Sequence, residues 1–276
     1  MRFVALGDVG KGNDVQRAVA SALGTVCAAR ACDFALLLGD NLYPDGMTTA
    51  GAPRMDEVFT EVYGGLDLDF YAVLGNHDYG RTHVDANAQH QVDWADQHVQ
   101  FHLPRRYYRF RSGPAAFWAL DTDAVFWNGL EPQATWLDDT MGPVEARWKV
   151  VFGHHTWRSN GDHGNAGEYE GWSHVPYASG NAVRALFEGH VKGRAQLYLS
   201  GHDHNLQSLT HEGVEIVVSG GGASALPLVD RGNTLRAGHA SAGFVWVELA
   251  DAMTLAFYDA DAQLLSEHVI PWSPPD

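Results

Sequence analysis

The stretch LLLGDNLYPDG, Leu36 to Gly46, begins as a run of leucines and ends in a turn. A continuous apolar run closed by glycine reads as a strand buried on both faces, as in a parallel sheet. Where the strand stops, Asp40 and then Tyr43 stand on a loop that also carries Pro44 and two glycines. The same pattern recurs along the chain. RFVALG, DFALLLG and DFYAVLG read as strands that alternate with helical patterns. NDVQRAVASALGTVCAAR repeats its apolar positions every three to four residues behind an Asn13 cap, and MDEVFTEVYGG makes a shorter helix. This is βαβαβ logic and predicts largely parallel strands.

A longer helical stretch is expected near His90 to Gln100, and from Arg106 the character changes. RYYRFR and AAFWALD read as antiparallel strands joined by a turn at Ser112-Gly113-Pro114. EPQATWLDDTM and NAVRALFEGH read as helices, RWKVVFG and AQLYLSG as strands, and VEIVVSG, GFVWVELA and MTLAFYDA as further short strands. The Gly-rich SGGGASALP is too short for a linker and reads as a loop. One domain over residues 1–276, α/β (α+β) with two sheets, is the economical reading.

The formal charge of −16 argues against a nucleic-acid partner, which needs clustered Lys and Arg, but not against a phosphate substrate if bound cations reverse the local sign. No run of ~18 or more apolar residues predicts a membrane span. No signal peptide precedes the first strand, so the chain reads as cytoplasmic or as a mature form whose leader was removed. Cys27 and Cys32 are too few for a disulfide framework and read as ordinary buried thiols, with a local bridge as the alternative.

Five strand-end loops then share one design: LGDVG with Asp8, LGDNLY with Asp40 and Tyr43, LGNHD with Asn76 and His77, FGHH with His154, and SGHDH with His202 and His204. Ligands in α/β sheets gather at the carboxyl ends of strands. Singly, a Gly-Asp at a strand end is a turn more often than a site. Together the five supply carboxylate, amide, phenol and imidazole donors without cysteine, which suits iron, zinc or manganese rather than a structural zinc knot. The donors are too many for one ion and fit two ions about 3.5–4 Å apart sharing a carboxylate.

The ordered set GD, GDxxY, GNHD, GH and GHDH resembles the calcineurin-like metallophosphoesterases, and the Tyr43 spacing narrows the likeness to the purple acid phosphatases, in particular the small tartrate-resistant form. The resemblance runs over nearly the whole chain. It implies a four-layer αββα sandwich of two mixed sheets flanked by helices, with the metals at strand C-terminal loops. It implies Fe(III) held by Asp8, Tyr43 and His204, a divalent iron, zinc or manganese held by Asn76, His154 and His202, and Asp40 as the bridge. It further implies that His77 contacts phosphate and protonates the leaving group, with His163 as a second non-ligand histidine. Where that family tends to have proline two residues after the ligand histidine, this chain has Thr156.

The expected activity is acid hydrolysis of small phosphomonoesters. The alternatives are phosphodiester or nucleotide pyrophosphate hydrolysis, Fe-Tyr redox chemistry, and metal binding without catalysis. Secreted or periplasmic residence is favoured by the resemblance alone. His155, Asp78 and Asn205 read as supporting or turn residues. Trp157, Tyr169 and Trp172 either stack on a leaving group or pack their loop, and the oligomeric state is open.

Overall fold

Residues 1–49, 51–80, 83–175 and 178–274 are described by the structure, a computed structural model. Strand β1 (Arg2–Leu6) leads into helix α1 (Asp14–Arg30), whose first turn is capped by the Asn13 side chain accepting from Gln16 N, as expected. Strand β2 (Phe34–Leu38) is buried at every residue, because both faces of its sheet are covered. A π-type turn at Asp56–Thr60 continues into α2 (Glu61–Tyr63), followed by β3 (Phe70–Val73), α3 (Asn76–Tyr79), α4 (Asp85–Ala95) and β4 (Phe101–His102).

The hairpin β5 (Tyr108–Ser112) and β6 (Ala115–Ala119) opens the second sheet. It continues through α5 (Thr122–Asn128), α6 (Glu131–Met141), β7 (Trp148–Phe152), α7 (Asn181–Leu186) and β8 (Leu197–Ser200). The remaining strands are β9 (Leu206–His211), β10 (Val214–Ser219), β11 (Leu235–His239), β12 (Gly243–Leu249), β13 (Ala252–Asp259) and β14 (Leu264–Pro271).

The strands form two seven-stranded sheets, in the orders β14-β13-β12-β1-β2-β3-β4 and β11-β9-β10-β8-β7-β6-β5. Both are mixed. β1, β2, β3 and β4 run parallel, as do β6, β7, β8 and β10, while β12, β13, β14, β5, β9 and β11 join by antiparallel pairing. The sheets meet through aromatic side chains: Phe3 stacks on Phe34 at 5.2 Å, and Phe117 of the other sheet meets both edge-on at 5.6 and 5.5 Å. Helices cover the outer faces, α1 with Val19 and Leu23 on one side, and α6 and α7 with Leu137 and Val183 on the other. The result is the expected four-layer αββα sandwich.

Two expectations need correction. The helix placed near His90–Gln100 is α4, at Asp85–Ala95, because the chain from Asp96 turns to reach the sheet, where Gln100 O accepts from Phe70 N. Cys27 and Cys32 are not free thiols but a disulfide. Ala31 takes a positive φ of 62° directly after α1, its N–H donates back to Cys27 O, and this reversal brings the two Cα atoms to 5.1 Å. Periodicity along α1 carries no sign of that turn. Closing so short a loop restricts the unfolded chain, so the Cys27→Ala/Cys32→Ala double variant should lose about 2 kcal/mol of stability, read from its denaturant midpoint.

Candidate metal centre

The proposed donors, and His77 with them, lie just past the carboxyl ends of parallel strands: Asp8 after β1, Asp40 and Tyr43 after β2, Asn76 and His77 in α3 after β3, His154 after β7, and His202 and His204 after β8. The first three strands belong to one sheet and the last two to the other, so the loops meet where the sheets face each other. Asp8, Asp40 and His202 all hold positive φ, at 61°, 54° and 71°. Such backbone costs about 1–3 kcal/mol per residue and persists where its surroundings enforce it. The glycines before the donors serve close approach as well as turning. A Cβ on Gly75 would sit 2.3 Å from Asp40 Oδ1, and one on Gly201 would sit 2.5 Å from Asp8 Oδ2.

The donors form two groups. In the first, Tyr43 OH lies 2.7 Å from Asp40 Oδ2, 3.0 Å from Asp8 Oδ1 and 3.3 Å from His204 Nε2, and His204 Nε2 lies 3.2 Å from Asp8 Oδ1. In the second, His154 Nε2 lies 3.0 Å from Asn76 Oδ1, 3.1 Å from His202 Nδ1 and 3.5 Å from Asp40 Oδ1. Asp40 therefore turns one oxygen to each group. Ligand atoms of Asp8, Asp40 and His154 all fall within 4.8 Å of one another, and these three residues are buried.

The chemistry of these contacts fits cations. Leu38 O can only accept, so His154 Nδ1, 2.9 Å away, carries the proton. Its Nε2 faces an amide oxygen, a carboxylate and another imidazole nitrogen; burial opposes protonation of the ring, but Asp40 and Asp8 outweigh it and raise the ring above 6.5. Acceptors pressed together this way repel unless a proton or a cation lies between them. Burial, then Asp40 and Asp8, push the Tyr43 phenol well above its ordinary value of 10.0. A phenolate there requires added positive charge.

Burial opposes ionisation of Asp8, but His204, His154 and the backbone N–H of His202 outweigh it and hold the carboxyl below 3.8. His202 is held neutral well below 6.5 by burial and by the surrounding histidines, which leaves it a donor of lone pairs.

The two non-ligand histidines flank the groups. His77 tilts against the Tyr43 ring at 4.3 Å, its Nδ1 lies 2.7 Å from Pro44 O, and its backbone N–H donates to Asp40 Oδ1 at 2.9 Å. His163 stacks on His202 with ring centres 3.9 Å apart, and its Nδ1 meets the Glu170 carboxylate. Burial opposes protonation of His163, but Glu170 reverses the balance and raises it above 6.5. The His155 ring lies 4.6 Å from that of His202, and its Nδ1 is 3.0 Å from Thr122 Oγ1. Trp157 is buried against Phe187, and Tyr169 is buried with its hydroxyl on Thr156 O, so both pack the loop, whereas Trp172 is half exposed.

Supporting groups explain residues that sequence reading left open or missed. Asp78 accepts from the backbone N–H groups of Gly75, Asn41 and Leu42 at 2.8–3.1 Å and from Gln91 Nε2 at 2.6 Å, tying the Asp40 loop to the Asn76 loop. Asp203, between His202 and His204, accepts from His163 N at 2.9 Å and so fixes the loop that carries His163. Asn205 is buried, its side-chain oxygen accepting from Gln207 at 2.6 Å. Ser224 Oγ lies 2.9 Å from His204 Nδ1 and accepts from Lys11 Nζ at 2.8 Å. Thr122 Oγ1 accepts from the N–H groups of His154 and His155. A signal existed for both: Thr122 follows the carboxyl end of β6, and Ser224 stands in the Gly-rich loop after β10.

Beside Thr122, buried Asp121 accepts from Ala124 N at 3.0 Å and from the Tyr79 hydroxyl. Burial pushes its carboxyl up to about 6 from 3.8, against the opposing hydrogen bonds from Tyr79 and Ala124. The folded state thus holds this proton more tightly than the unfolded state. Its stabilisation is complete below 3.8 and lost as pH rises through about 6. Asp121→Asn keeps a capping side chain but cannot titrate. Its stability relative to the parent should therefore rise between pH 4 and pH 7, by on the order of 2 kcal/mol, in paired urea titrations.

Residues 1–206 match the calcineurin-like phosphoesterase family model. The chain belongs to that family. Purple acid phosphatase 4 of Arabidopsis thaliana is 30% identical over 248 residues, covering 81% of this chain and 68% of the relative. Tartrate-resistant acid phosphatase type 5 of Oryctolagus cuniculus is 26% identical over 313 residues, covering 98% and 91%. GAP50, described as the anchor in the inner membrane complex of Plasmodium, shares the fold with a TM-score of 0.79 at 19% identity, over 99% of this chain and 89% of that one. The chain is accordingly a phosphoester hydrolase of a metal-dependent family with purple acid phosphatases among its relatives. No helix among the described residues is long and apolar enough to cross a membrane.

Proposed function

We propose that this phosphoesterase is a binuclear acid phosphatase for small phosphomonoesters. The observation that carries the reading is Asp40, whose two oxygens face separate donor groups, toward Tyr43 at 2.7 Å and toward His154 at 3.5 Å. Asp8, Tyr43 and His204 would hold a ferric ion, Asn76, His154 and His202 a divalent iron, zinc or manganese, and Asp40 would join them. When bound, the two cations supply Lewis acidity that offsets charge on the phosphoryl oxygens and makes water a nucleophile at low pH.

The protein's part is placement. Leu38 O fixes the His154 tautomer, Lys11 and Ser224 orient His204, and Asp78 keeps the Asp40 and Asn76 loops in register. Pro44 O holds the His77 Nδ1 proton. A protonated His77 then has its Nε2–H to give to the departing ester oxygen. His163, kept cationic by Glu170, steadies a phosphoryl oxygen. All 276 residues act as one domain, supported by a core in which strands of both sheets take part. The Cys27–Cys32 disulfide supports an oxidising compartment, outside the cell or in a periplasm.

The visible spectrum of the iron-reconstituted protein tests the centre. A purple tyrosinate-to-Fe(III) band should appear and be lost in Tyr43→Phe, with some hydrolysis retained. A colourless protein holding zinc or manganese tightly would return it to the wider phosphoesterases. Comparing p-nitrophenyl phosphate with bis(p-nitrophenyl) phosphate tests the monoester assignment, and faster cleavage of the diester would overturn it.

A further inference from the structure

The chain carries 18 Lys and Arg against 34 Asp and Glu, yet four arginines, Arg105, Arg106, Arg109 and Arg111, fall within seven residues. They lie in and just before β5, which ends its sheet and, among the described residues, pairs only with β6. Arg106 is engaged by Asp85 at 2.6 Å and Arg111 reaches Glu145 O, whereas Arg105 and Arg109 meet no carboxylate among the described residues.

The backbone of this edge is open at the arginines. Ser112 and Ala115 face each other across the two-residue turn Gly113-Pro114, so they form a hydrogen-bonded pair. Pairing alternates along an antiparallel ladder. Tyr108, Phe110 and Ser112 therefore spend their backbone groups on β6, while Arg109 and Arg111 turn their N–H and C=O outward. Tyr108 and Phe110 point into the core, where the Tyr108 hydroxyl donates to Ala72 O at 2.9 Å and Phe110 stacks on Phe117 at 4.7 Å.

Three cavities, of about 480, 310 and 640 Å³, adjoin this edge, and Arg109 lines all three. Tyr71 and Phe101 contribute to the first, Trp118 to the second, and Tyr107 and Trp136 to the third. Among the described residues a single carboxylate, Asp96, takes part, and none of the proposed metal donors lines any of them.

We propose that the open edge of β5 docks an extended acidic segment of a partner protein as an added strand. Edge addition supplies main-chain hydrogen bonds, and side-chain contacts supply selection. Arg109 and Arg111 share a face about 7 Å apart along the strand, the spacing of alternate residues in an added strand. Acidic residues at every second position meet that spacing, and the cavities beside the edge take the residues between. Against a chain of charge −16, a local cationic edge selects for such a segment.

A fluorescein-labelled peptide of about eleven residues, with Glu at alternate positions and Thr between, tests this by anisotropy. Saturable binding is expected, at least about tenfold weaker for Arg109→Glu and for Arg109→Pro, with phosphatase activity unchanged. Proline there removes the outward N–H and leaves the bonds to β6 intact. Arg109→Ala removes the guanidinium but keeps the outward N–H, so equal affinities of Arg109→Pro and Arg109→Ala would overturn the added strand in favour of a general polyanion surface. Absence of saturable binding up to about 1 mM peptide would overturn docking, leaving the arginines as edge protection. Should the proline variant not fold, amide exchange on the parent protein decides, since the Arg109 and Arg111 amides must slow when peptide is added.

Discussion

Replacing Asp40 with asparagine should strip the protein of metal and lower turnover by about 10³-fold or more, roughly 4 kcal/mol of barrier. The reason is charge rather than shape. Asparagine has nearly the same volume, tolerates left-handed backbone, and retains an oxygen for the His77 N–H that Asp40 accepts at 2.9 Å. What it lacks is the negative charge. His154, His202 and Asn76 bring no negative charge as ligands, so Asp40 alone brings an anion to the second group, facing His154 at 3.5 Å. It is also one of the two carboxylates that face Tyr43 in the first group.

Metal content by mass spectrometry and kcat on p-nitrophenyl phosphate should therefore fall together, while the circular dichroism spectrum stays that of the parent. Retention of two metals per chain at full rate would remove Asp40 from the bridge. The contrasting variant is Asp78→Asn. Asp78 touches none of the proposed donor atoms and acts through the backbone N–H groups of Gly75, Asn41 and Leu42, so its loss should appear first as lowered stability.

Much of this candidate centre was legible because one rule brings its residues together. A buried parallel strand announces itself as an apolar run, and the residue after its closing glycine points to the sheet's carboxyl edge, so Asp8, Asp40, Asn76, His154 and His202 could be found without coordinates. The supporting residues were hidden by distance along the chain. Lys11 and Ser224 lie 213 positions apart and meet at one hydroxyl, and Thr122 reaches His154 from 32 positions away. Their places at strand ends are local cues, but no local pattern encodes which residue each one meets. The disulfide, only the alternative reading of the sequence, was underweighted for a different reason. Cysteine counting weighs frameworks of several bridges, while the Cys27–Cys32 link depends on one left-handed residue, Ala31. RYYRFR read only as a strand, and it takes the sheet order to show that its arginines lie on an edge whose outer side is unpaired among the described residues.

His77→Ala should keep both metals and lose about 10²-fold in kcat, the magnitude of a general-acid contribution. The alanine retains the backbone N–H that donates to Asp40 Oδ1, so the bridge stays oriented. It removes only the ring, whose Nδ1 faces Pro44 O at 2.7 Å and which lies against Tyr43. Because the Pro44 carbonyl can only accept, the Nδ1 proton is committed there, and Nε2 is the atom left to deliver a proton. The loss should then depend on the leaving group. p-Nitrophenolate departs without a proton, so its ester should suffer least, whereas an alkyl phosphate, whose alkoxide needs protonation, should lose the full factor. A loss of equal size on both esters would show that His77 holds the phosphoryl group and gives no proton, and a rate unchanged on both would remove it from the reaction.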